Sequence, residues 1–224
     1  MSQIKLADGR NFEYEDNGVK SDQAILFLHG TPGADKTWSQ WLPQVTDCLA
    51  IAASRAGYGK SDRHKGRTVA DDLADQQALL DHFHIKEFVS IGWSGGGPHS
   101  INMTRDPRSK GAITLAGVGE WGHADLDFLA DMGPENEEEF GEALKGEAAI
   151  QTWMSKNAPS LKTITGPDLI SALGGLIGEA DKAALTPDRA EDAAKSFRHA
   201  LVDSFDGWAD DDLAFVQKFG FDLG

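Results

Sequence analysis

The sequence EFVSIGWSGGG at residues 87–97 decides the fold. An apolar run typical of a buried strand leads directly into GWSGG at residues 92–96, which matches the pattern G-x-S-x-G of a serine on a sharp strand-to-helix turn. Gly92 and Gly96 lie two positions before and after the serine, where they let neighbouring backbone segments approach closely. We therefore predict that the hydroxyl of Ser94 projects above the carboxyl edge of a sheet. The competing interpretation is an ordinary glycine-rich turn.

A second motif, FLHGTPG at residues 27–33, also ends an apolar run. An open α/β sheet places its site at the carboxyl ends of its strands, so both motifs converge on one edge. Acyl transfer needs hydrogen-bond donors at the point where an oxyanion develops. The N–H of Gly95, directly after the serine, is one such donor. The N–H of Thr31 is the predicted second donor, because Pro32 has no N–H to give.

Four apolar runs in the first half of the chain are typical of strands buried on both faces of a parallel sheet. They lie at residues 24–28, 48–53, 87–92 and 112–118. Helical patterns separate them, at residues 38–45 and in a segment that Thr68 is expected to cap, with Asp71 three positions on. This alternation predicts an α/β fold with right-handed crossovers. Alternating segments at residues 4–6 and 12–14 predict an antiparallel edge hairpin.

From about residue 120 the sequence changes to helical patterns, without a convincing buried strand. Pro134 suits the first position of a helix, and Thr186 opens a long helical pattern. The predicted helices lie at residues 126–132, 134–145, 186–205 and 208–219. We therefore divide the chain into a sheet domain at residues 1–119, with six strands, and a helical, acidic region at residues 120–224.

Three segments in this order and spacing, LFLHGTPG, SRAGYGKSD and GWSGGGP, resemble the α/β-hydrolase superfamily, most closely its bacterial esterase and proline-iminopeptidase-like members with a helical cap. The resemblance is specific over residues 24–119. It implies a mostly parallel α/β-hydrolase-like sheet with helices on both faces, and a cap formed by the helical region. It also implies that Ser94 is the nucleophile of an acyl-enzyme and that Thr31 and Gly95 form the oxyanion hole. A serine here is typical of an esterase or peptidase that acts on a small ester or amide, rather than of a dehalogenase or epoxide hydrolase.

The family pattern continues after the cap with two further strands, which carry the acid and the histidine of the catalytic triad. This sequence ends with DDDLAFVQKFGFDLG at residues 210–224, and no histidine follows His199. We therefore expect an incomplete hydrolase without the last two strands: a fragment, a frameshifted product or one piece of a split protein. A serine without a base is a weak nucleophile, so we expect this chain to be inactive or nearly so. The alternative is a non-catalytic binding protein, with residues 112–118 as an exposed edge strand for association with itself or a partner.

None of the seven histidines lies where the family has its base. His29, together with Gly30, is expected to orient the glycine-rich loop after the first parallel strand rather than to act in catalysis. His123 alone follows a strand of the predicted sheet, so it could approach the serine, with Asp125 or Asp127 as its partner.

The charge balance limits the classes of partner. Lys and Arg number 21 and Asp and Glu number 36, which gives a net charge of −15, and residues 113–224 hold 8 of the basic and 22 of the acidic side chains. A phosphate backbone or an anionic membrane surface would be repelled, so we expect neither nucleic acid nor membrane as a partner. A solvated helical surface is the simpler explanation of the acidic excess.

Compartment and cofactors follow from motifs that are missing. The chain has no signal-peptide pattern, no apolar run long enough to span a membrane and a single cysteine, Cys48, so we expect a cytoplasmic protein with Cys48 in its core. GYGKS at residues 57–61 lacks the first glycine of a phosphate loop, because Ser54 stands there. GVGEWG at residues 117–122 matches a dinucleotide fingerprint, but the acidic residues about 20 positions on fall in a helical pattern. We therefore expect no cofactor and no metal.

Overall fold

A computed structural model of the chain describes residues 2–130, 132–173 and 177–222. Residue 131, in the helix predicted at 126–132, and residues 223 and 224, at the end of the terminal segment, lie outside the described residues. The strands are β1 (Ser2–Lys5), β2 (Asn11–Asp16), β3 (Gln23–Leu28), β4 (Leu49–Ala53), β5 (Glu87–Trp93) and β6 (Ser109–Leu115). The α-helices are α1 (Asp72–His82), α2 (Gly96–Asn102), α3 (Pro134–Ala143), α4 (Glu147–Leu161), α5 (Gly166–Leu173), α6 (Glu179–Ala184), α7 (Pro187–Ala200) and α8 (Asp206–Phe215).

The six strands form one sheet in the order β1-β2-β4-β3-β5-β6. β1 and β2 pair as the predicted antiparallel hairpin, and β2 also pairs antiparallel with β4, whereas the remaining neighbours are parallel. The predicted mostly parallel α/β sheet is therefore confirmed. In the pairing of β3 with β5, Leu28 lies opposite Gly92, so the two motif-bearing turns leave the sheet side by side.

The two faces of the sheet are covered differently. One face packs against α1, whose Leu79 is fully buried in the largest core cluster. The other face packs against two short 3₁₀ helices, at Asp35–Trp38 and Leu42–Gln44. The sequence pattern predicted one helix over residues 38–45. Pro43 accounts for the difference, because it has no N–H for the interior of an α-helix and its ring clashes with the preceding turn.

The start of α1 also differs from the prediction. Thr68 was expected as the cap, with Asp71 three positions on. The carboxylate of Asp71 does accept hydrogen bonds from the N–H and the hydroxyl of Thr68, at 2.7 and 2.8 Å, but the regular helix begins only at Asp72. The pair therefore closes a turn before the helix rather than capping the helix itself.

The edge strand β6 occupies residues 109–115, three residues earlier than the predicted 112–118. It ends at Leu115 because Ala116 adopts a left-handed backbone conformation (φ 48°), which turns the chain away from the sheet. Within the described residues β6 pairs only with β5. Ile113 and Leu115 are 47% and 46% exposed on one face of this edge.

Three of the four helices predicted in the helical region form, as α3, α7 and α8, whereas α4, α5 and α6 were not predicted. α3 begins at Pro134, and the hydroxyl of Thr186 caps α7 by accepting a hydrogen bond from the N–H of Arg189. α8 begins two residues before the predicted residue 208 and ends at Phe215. No helix in the described part of the chain is long and apolar enough to span a membrane.

Two smaller predictions were wrong. The described residues of the segment predicted as a helix at 126–132 form no helix, and residues 128–130 form a turn. Phe128 is buried there between Trp121 and Phe140, with ring centroids 5.1 and 5.0 Å away, so aromatic packing holds this segment without a helix. Cys48 precedes β4 and is half-buried, so it is not a member of the core.

Candidate active site

Ser94 lies on the turn between β5 and α2, and its backbone is left-handed, with φ 52°. Few side chains other than glycine, asparagine and aspartate adopt this conformation, so the position is strained. The flanking glycines explain how the turn closes. A Cβ atom on Gly92 would collide with the carbonyl of Gly96, and one on Gly96 would collide with the carbonyl of Leu28. The G-x-S-x-G spacing is therefore required by backbone contacts.

The two predicted oxyanion donors lie next to each other. A Cβ atom on Gly95 would be 2.9 Å from the Cβ of Thr31, which shows how closely the two backbones approach. Among the described residues, neither the N–H of Thr31 nor that of Gly95 donates a hydrogen bond. Ser94, Thr31 and Gly95 line one cavity of about 200 Å³. These N–H groups are thus free to serve an oxygen atom bound beside the serine hydroxyl.

His29 holds the loop that carries Thr31. The ring is fully buried, its Nδ1 donates to the carbonyl of Gly30 at 2.7 Å, and its Nε2 accepts from the N–H of Arg55 at 2.9 Å. Burial, together with the nearby positive charge of Arg55, lowers the pKa of His29 well below its usual value. A neutral ring engaged at both nitrogens orients the loop and has no nitrogen free for proton transfer.

Asp211 of α8 anchors the same loop, and sequence reasoning did not single it out. Its Oδ2 accepts hydrogen bonds from the Thr31 hydroxyl at 2.6 Å, from Arg55 at 2.6 Å and from the Tyr58 hydroxyl at 2.8 Å. Its Oδ1 lies 2.6 Å from Nη1 of Arg67. Burial alone would raise the pKa of Asp211, but the charges of Arg55 and Arg67 outweigh it and hold that pKa well below the usual range. The carboxylate thus stays ionised.

A second carboxyl group, that of Asp212, lines the cavity together with Glu139 of α3. Both oxygens of Asp212 are buried and accept no hydrogen bond, whereas Glu139 accepts one from the indole N–H of Trp208. Burial, reinforced by the negative charge of Glu139, raises the pKa of Asp212 well above its usual value, and burial also raises the pKa of Glu139. The pair therefore tends to share a proton at a pH where ordinary carboxyls are ionised.

Neither His123, which the sequence offered as a possible base, nor His99, which lies five residues after the serine, hydrogen-bonds to Ser94 among the described residues. His99 on α2 is buried with its Nδ1 3.1 Å from Asp72, and burial followed by the charge of Arg55 lowers its pKa. His123 is exposed, and its Nδ1 accepts from the N–H of Asp125. In the described ranges no imidazole hydrogen-bonds the Ser94 hydroxyl. Among the described residues, no histidine is therefore in place to act as the base for Ser94.

Comparison with known proteins completes the description. A family model described as alpha/beta hydrolase fold matches residues 23–150, which is more than half of the chain. A protein of Bacillus subtilis named as a 2-succinyl-6-hydroxy-2,4-cyclohexadiene-1-carboxylate synthase is 26% identical over 110 residues, covering 47% of this chain and 40% of that protein. A non-heme haloperoxidase of Rhodococcus erythropolis is 30% identical over 100 residues, or 43% of this chain and 36% of that protein. The matched segment thus spans about two fifths of these curated relatives.

Solved structures show the same fold at low identity. The enol-lactonase from Burkholderia xenovorans LB400 has a TM-score of 0.63 and 16% identity, with 97% of this chain and 74% of that chain covered. A thermophilic esterase from Thermogutta terrifontis has a TM-score of 0.63 and 17% identity, with 97% and 73% covered. At such identities the likeness extends to the arrangement of strands and helices and not to substrates.

Proposed function

This chain belongs to the α/β hydrolase fold family, and from that premise we propose that it hydrolyses ester or amide bonds through an acyl-enzyme on Ser94. The observation that carries the proposal is the left-handed serine turn, which opens into the cavity shared with Thr31 and Gly95. A strained backbone held by close contacts is typical of functional sites, because a structural turn gains nothing from a serine in this conformation.

The chemistry follows from these positions. The Ser94 oxygen bonds to the substrate carbonyl carbon as its proton passes to a base, and the carbonyl oxygen becomes an oxyanion. The N–H groups of Thr31 and Gly95 then stabilise that charge, an effect worth about 10²- to 10³-fold in rate per donor in related sites. The tetrahedral intermediate collapses, the alcohol or amine leaves with a proton, and water releases the acyl group from the serine.

The ionisable groups of the described cavity are the carboxyls of Asp212 and Glu139. A base is most effective when its pKa lies near the working pH, and both pKa values are raised in that direction. Asp212 is the candidate proton acceptor in this proposal, because its two oxygens accept no hydrogen bond. We therefore expect the rate of serine acylation to rise with pH, as the Asp212–Glu139 pair loses its proton.

The cavity volume supports a small substrate. About 200 Å³ lies below the range of roughly 300–1,000 Å³ typical of drug-sized ligand sites. We therefore expect acetyl or propionyl esters to react in preference to long-chain esters. The apolar part of the lining, which includes Val118, Met132 and Phe140, suits an uncharged acyl group.

A second candidate function is binding without turnover. It is favoured by the lack of any imidazole on the Ser94 hydroxyl among the described residues. In that case the cavity would hold a small molecule without converting it. The exposed edge of β6 would then serve for association with a second copy of the chain or with a partner. The matched relatives are considerably longer than the matched segment, so the activity of the whole protein is also part of the proposal.

A fluorophosphonate probe separates the two functions. We expect the probe to label the folded chain at Ser94, and Ser94→Ala to abolish both labelling and hydrolysis of p-nitrophenyl acetate. Ser160→Ala, an exposed serine on the cap, is the matched control and should leave labelling unchanged. A folded chain that takes up no probe would overturn the hydrolase proposal and favour binding.

A further inference from the structure

Three side chains from distant parts of the chain converge beneath α7. Glu13 lies on β2, Asp35 begins the first 3₁₀ helix, and His199 lies near the end of α7. The Nε2 atom of His199 is 2.8 Å from Oε2 of Glu13 and 3.7 Å from Oδ1 of Asp35. All three side chains offer a donor atom within 4.8 Å of the others, and in the described part of the chain no other group of three does so.

The two carboxylates leave buried oxygens without a partner. Oε1 of Glu13 and Oδ1 of Asp35 are inaccessible to solvent and accept no hydrogen bond. Their other oxygens are already engaged, since Lys60 N–H donates to Glu13 Oε2 at 2.9 Å and the Lys36 ammonium contacts Asp35 Oδ2 at 3.0 Å. An unpaired buried carboxylate oxygen is costly, so these two atoms require a cation or a proton.

The local charge is opposite in sign and equal in size to that of a divalent cation. Glu13, Asp35 and Glu15 carry carboxyl groups, and the ammonium group of Lys36 contacts Glu15 and Asp35. With His199 neutral and the three carboxyls ionised, these groups carry two net negative charges. The carboxylates lie in a site where Glu13 and Asp35 are fully buried, so this charge is poorly screened by water.

We propose that Glu13, Asp35 and His199 bind one divalent transition-metal ion of the zinc class. One imidazole nitrogen with two carboxylate oxygens is a donor set that suits zinc, while calcium and magnesium prefer oxygen donors alone. Bonds of about 2.0–2.2 Å to a tetrahedral ion place ligand atoms roughly 3.3–3.6 Å apart, close to the 3.7 Å between Nε2 of His199 and Oδ1 of Asp35. The site requires the His199 ring to give up its hydrogen bond to Glu13.

The ion would join the cap to the sheet. Glu13 and His199 are 186 residues apart in the sequence, and the site lies where α7 meets the first 3₁₀ helix. The competing occupant is a proton on His199, because the hydrogen bond to Glu13 raises the pKa of that histidine. This inference does not depend on the proposed hydrolase activity.

Calorimetric titration of the chelator-treated protein tests the site. We expect one equivalent of Zn²⁺ to bind, Mg²⁺ and Ca²⁺ not to compete, and the melting temperature to rise with Zn²⁺. His199→Ala should weaken binding about 100-fold or more, because loss of a group that only hydrogen-bonds to a metal ligand already costs about 10- to 100-fold. His123→Ala removes an exposed histidine outside the cluster and should leave the titration unchanged.

Two results would overturn the site. One is the lack of Zn²⁺ binding to the folded wild-type chain, which would leave a protonated histidine between two carboxylates as the explanation. The other is binding that survives in His199→Ala or disappears in His123→Ala. Asp35→Asn is the second variant, since it keeps the shape of the side chain while it weakens a ligand. Zn²⁺ binding should also weaken as the pH falls, because protons compete for His199.

Discussion

Asp211 and Asp212 are consecutive residues of α8 and neither is exposed to solvent, yet the protein surrounds them in opposite ways. The Asp211 carboxylate contacts two arginines and two hydroxyl groups, and its pKa is held well below the usual range. The Asp212 carboxyl accepts no hydrogen bond and faces Glu139, so its pKa is raised. Burial alone therefore does not determine the charge of a carboxyl group; the sign of its neighbours does.

The difference separates a structural group from the one that we propose as reactive. Asp211 fixes the loop that carries Thr31, and its side chain does not line the Ser94 cavity. Asp212 lines that cavity beside Glu139, the carboxyl with which it tends to share a proton. A carboxyl in a cavity with a raised pKa is a recognised mark of a functional site. In this proposal, neighbouring residues of one helix serve stability and chemistry separately.

The largest expected effect is that of Asp211→Asn. The change keeps the shape of the side chain but leaves Arg55 and Arg67 buried without their anion. Breaking a buried ion pair in this way costs about 3–5 kcal/mol, so urea unfolding should show a loss of that size in the free energy of unfolding. Asp203→Asn, which removes an exposed pair with Lys60, is the control and should change it by no more than about 1 kcal/mol. Equal effects of the two substitutions would contradict this account.

Asp212→Asn should act in the opposite direction. In the folded state the pKa is raised, so the native protein binds more protons than the unfolded chain at a pH between the two values. Stability therefore falls as pH rises from about 4 towards the folded pKa. The amide cannot ionise, so the variant should gain about 1–3 kcal/mol over the wild type at pH 8 and little at pH 4.

Two measurements at each pH decide this prediction. Urea unfolding should show a flatter pH dependence for Asp212→Asn than for the wild type. Fluorophosphonate labelling of Ser94 should slow in the same variant if Asp212 accepts its proton. A variant that is less stable than the wild type at pH 8 would show that neighbouring groups favour the ionised form of Asp212, and would contradict the raised pKa of this carboxyl.

Asp210, the residue before this pair, should give the smallest effect. Its carboxylate is buried but binds Arg63, which is 26% exposed, through two hydrogen bonds of 2.8 Å. Arg63 also contacts Asp206, so the arginine keeps an anion when Asp210 is replaced. Asp210→Asn should therefore cost about 1 kcal/mol, between the exposed and the fully buried pairs. A loss as large as that of Asp211→Asn would mean that solvent access does not separate the two sites.

The features that the sequence predicted are those set by nearby residues. The parallel strands β3, β4 and β5 were found from apolar runs, because buried strands exclude most polar side chains, whereas β6 at the exposed edge lies three residues earlier than predicted. The Ser94 turn was found from its glycines, since the contacts of Gly92 with Gly96 are only four residues apart. The prediction of one helix over residues 38–45 was wrong, because Pro43 disfavours the interior of an α-helix.

The features that were missed depend on distant residues. Asp211 contacts Arg55, which is 156 positions away in the sequence, and no spacing pattern predicts such a contact. The one available signal was three consecutive aspartates, at residues 210–212, in a helix that is otherwise largely apolar. The same holds for Glu13 and His199, which lie in the two different domains that the sequence predicted. The sequence thus indicated the serine turn and the neighbouring Thr31 and Gly95, but not the charges around them.

The Asp211 contacts also concern the order in which the chain is made. By the time β6 has left the ribosome, Arg55 and Arg67 have both been synthesised, while α8 has not. The sheet half therefore emerges with two cations whose contacting carboxylate has not yet been made, and their full burial must wait for α8. We expect chaperones to bind the nascent sheet half, and proteases to cleave it, until Asp211 has been synthesised. A cut between residues 119 and 120 would make that temporary state permanent, so the sheet half is a poor unit for expression on its own.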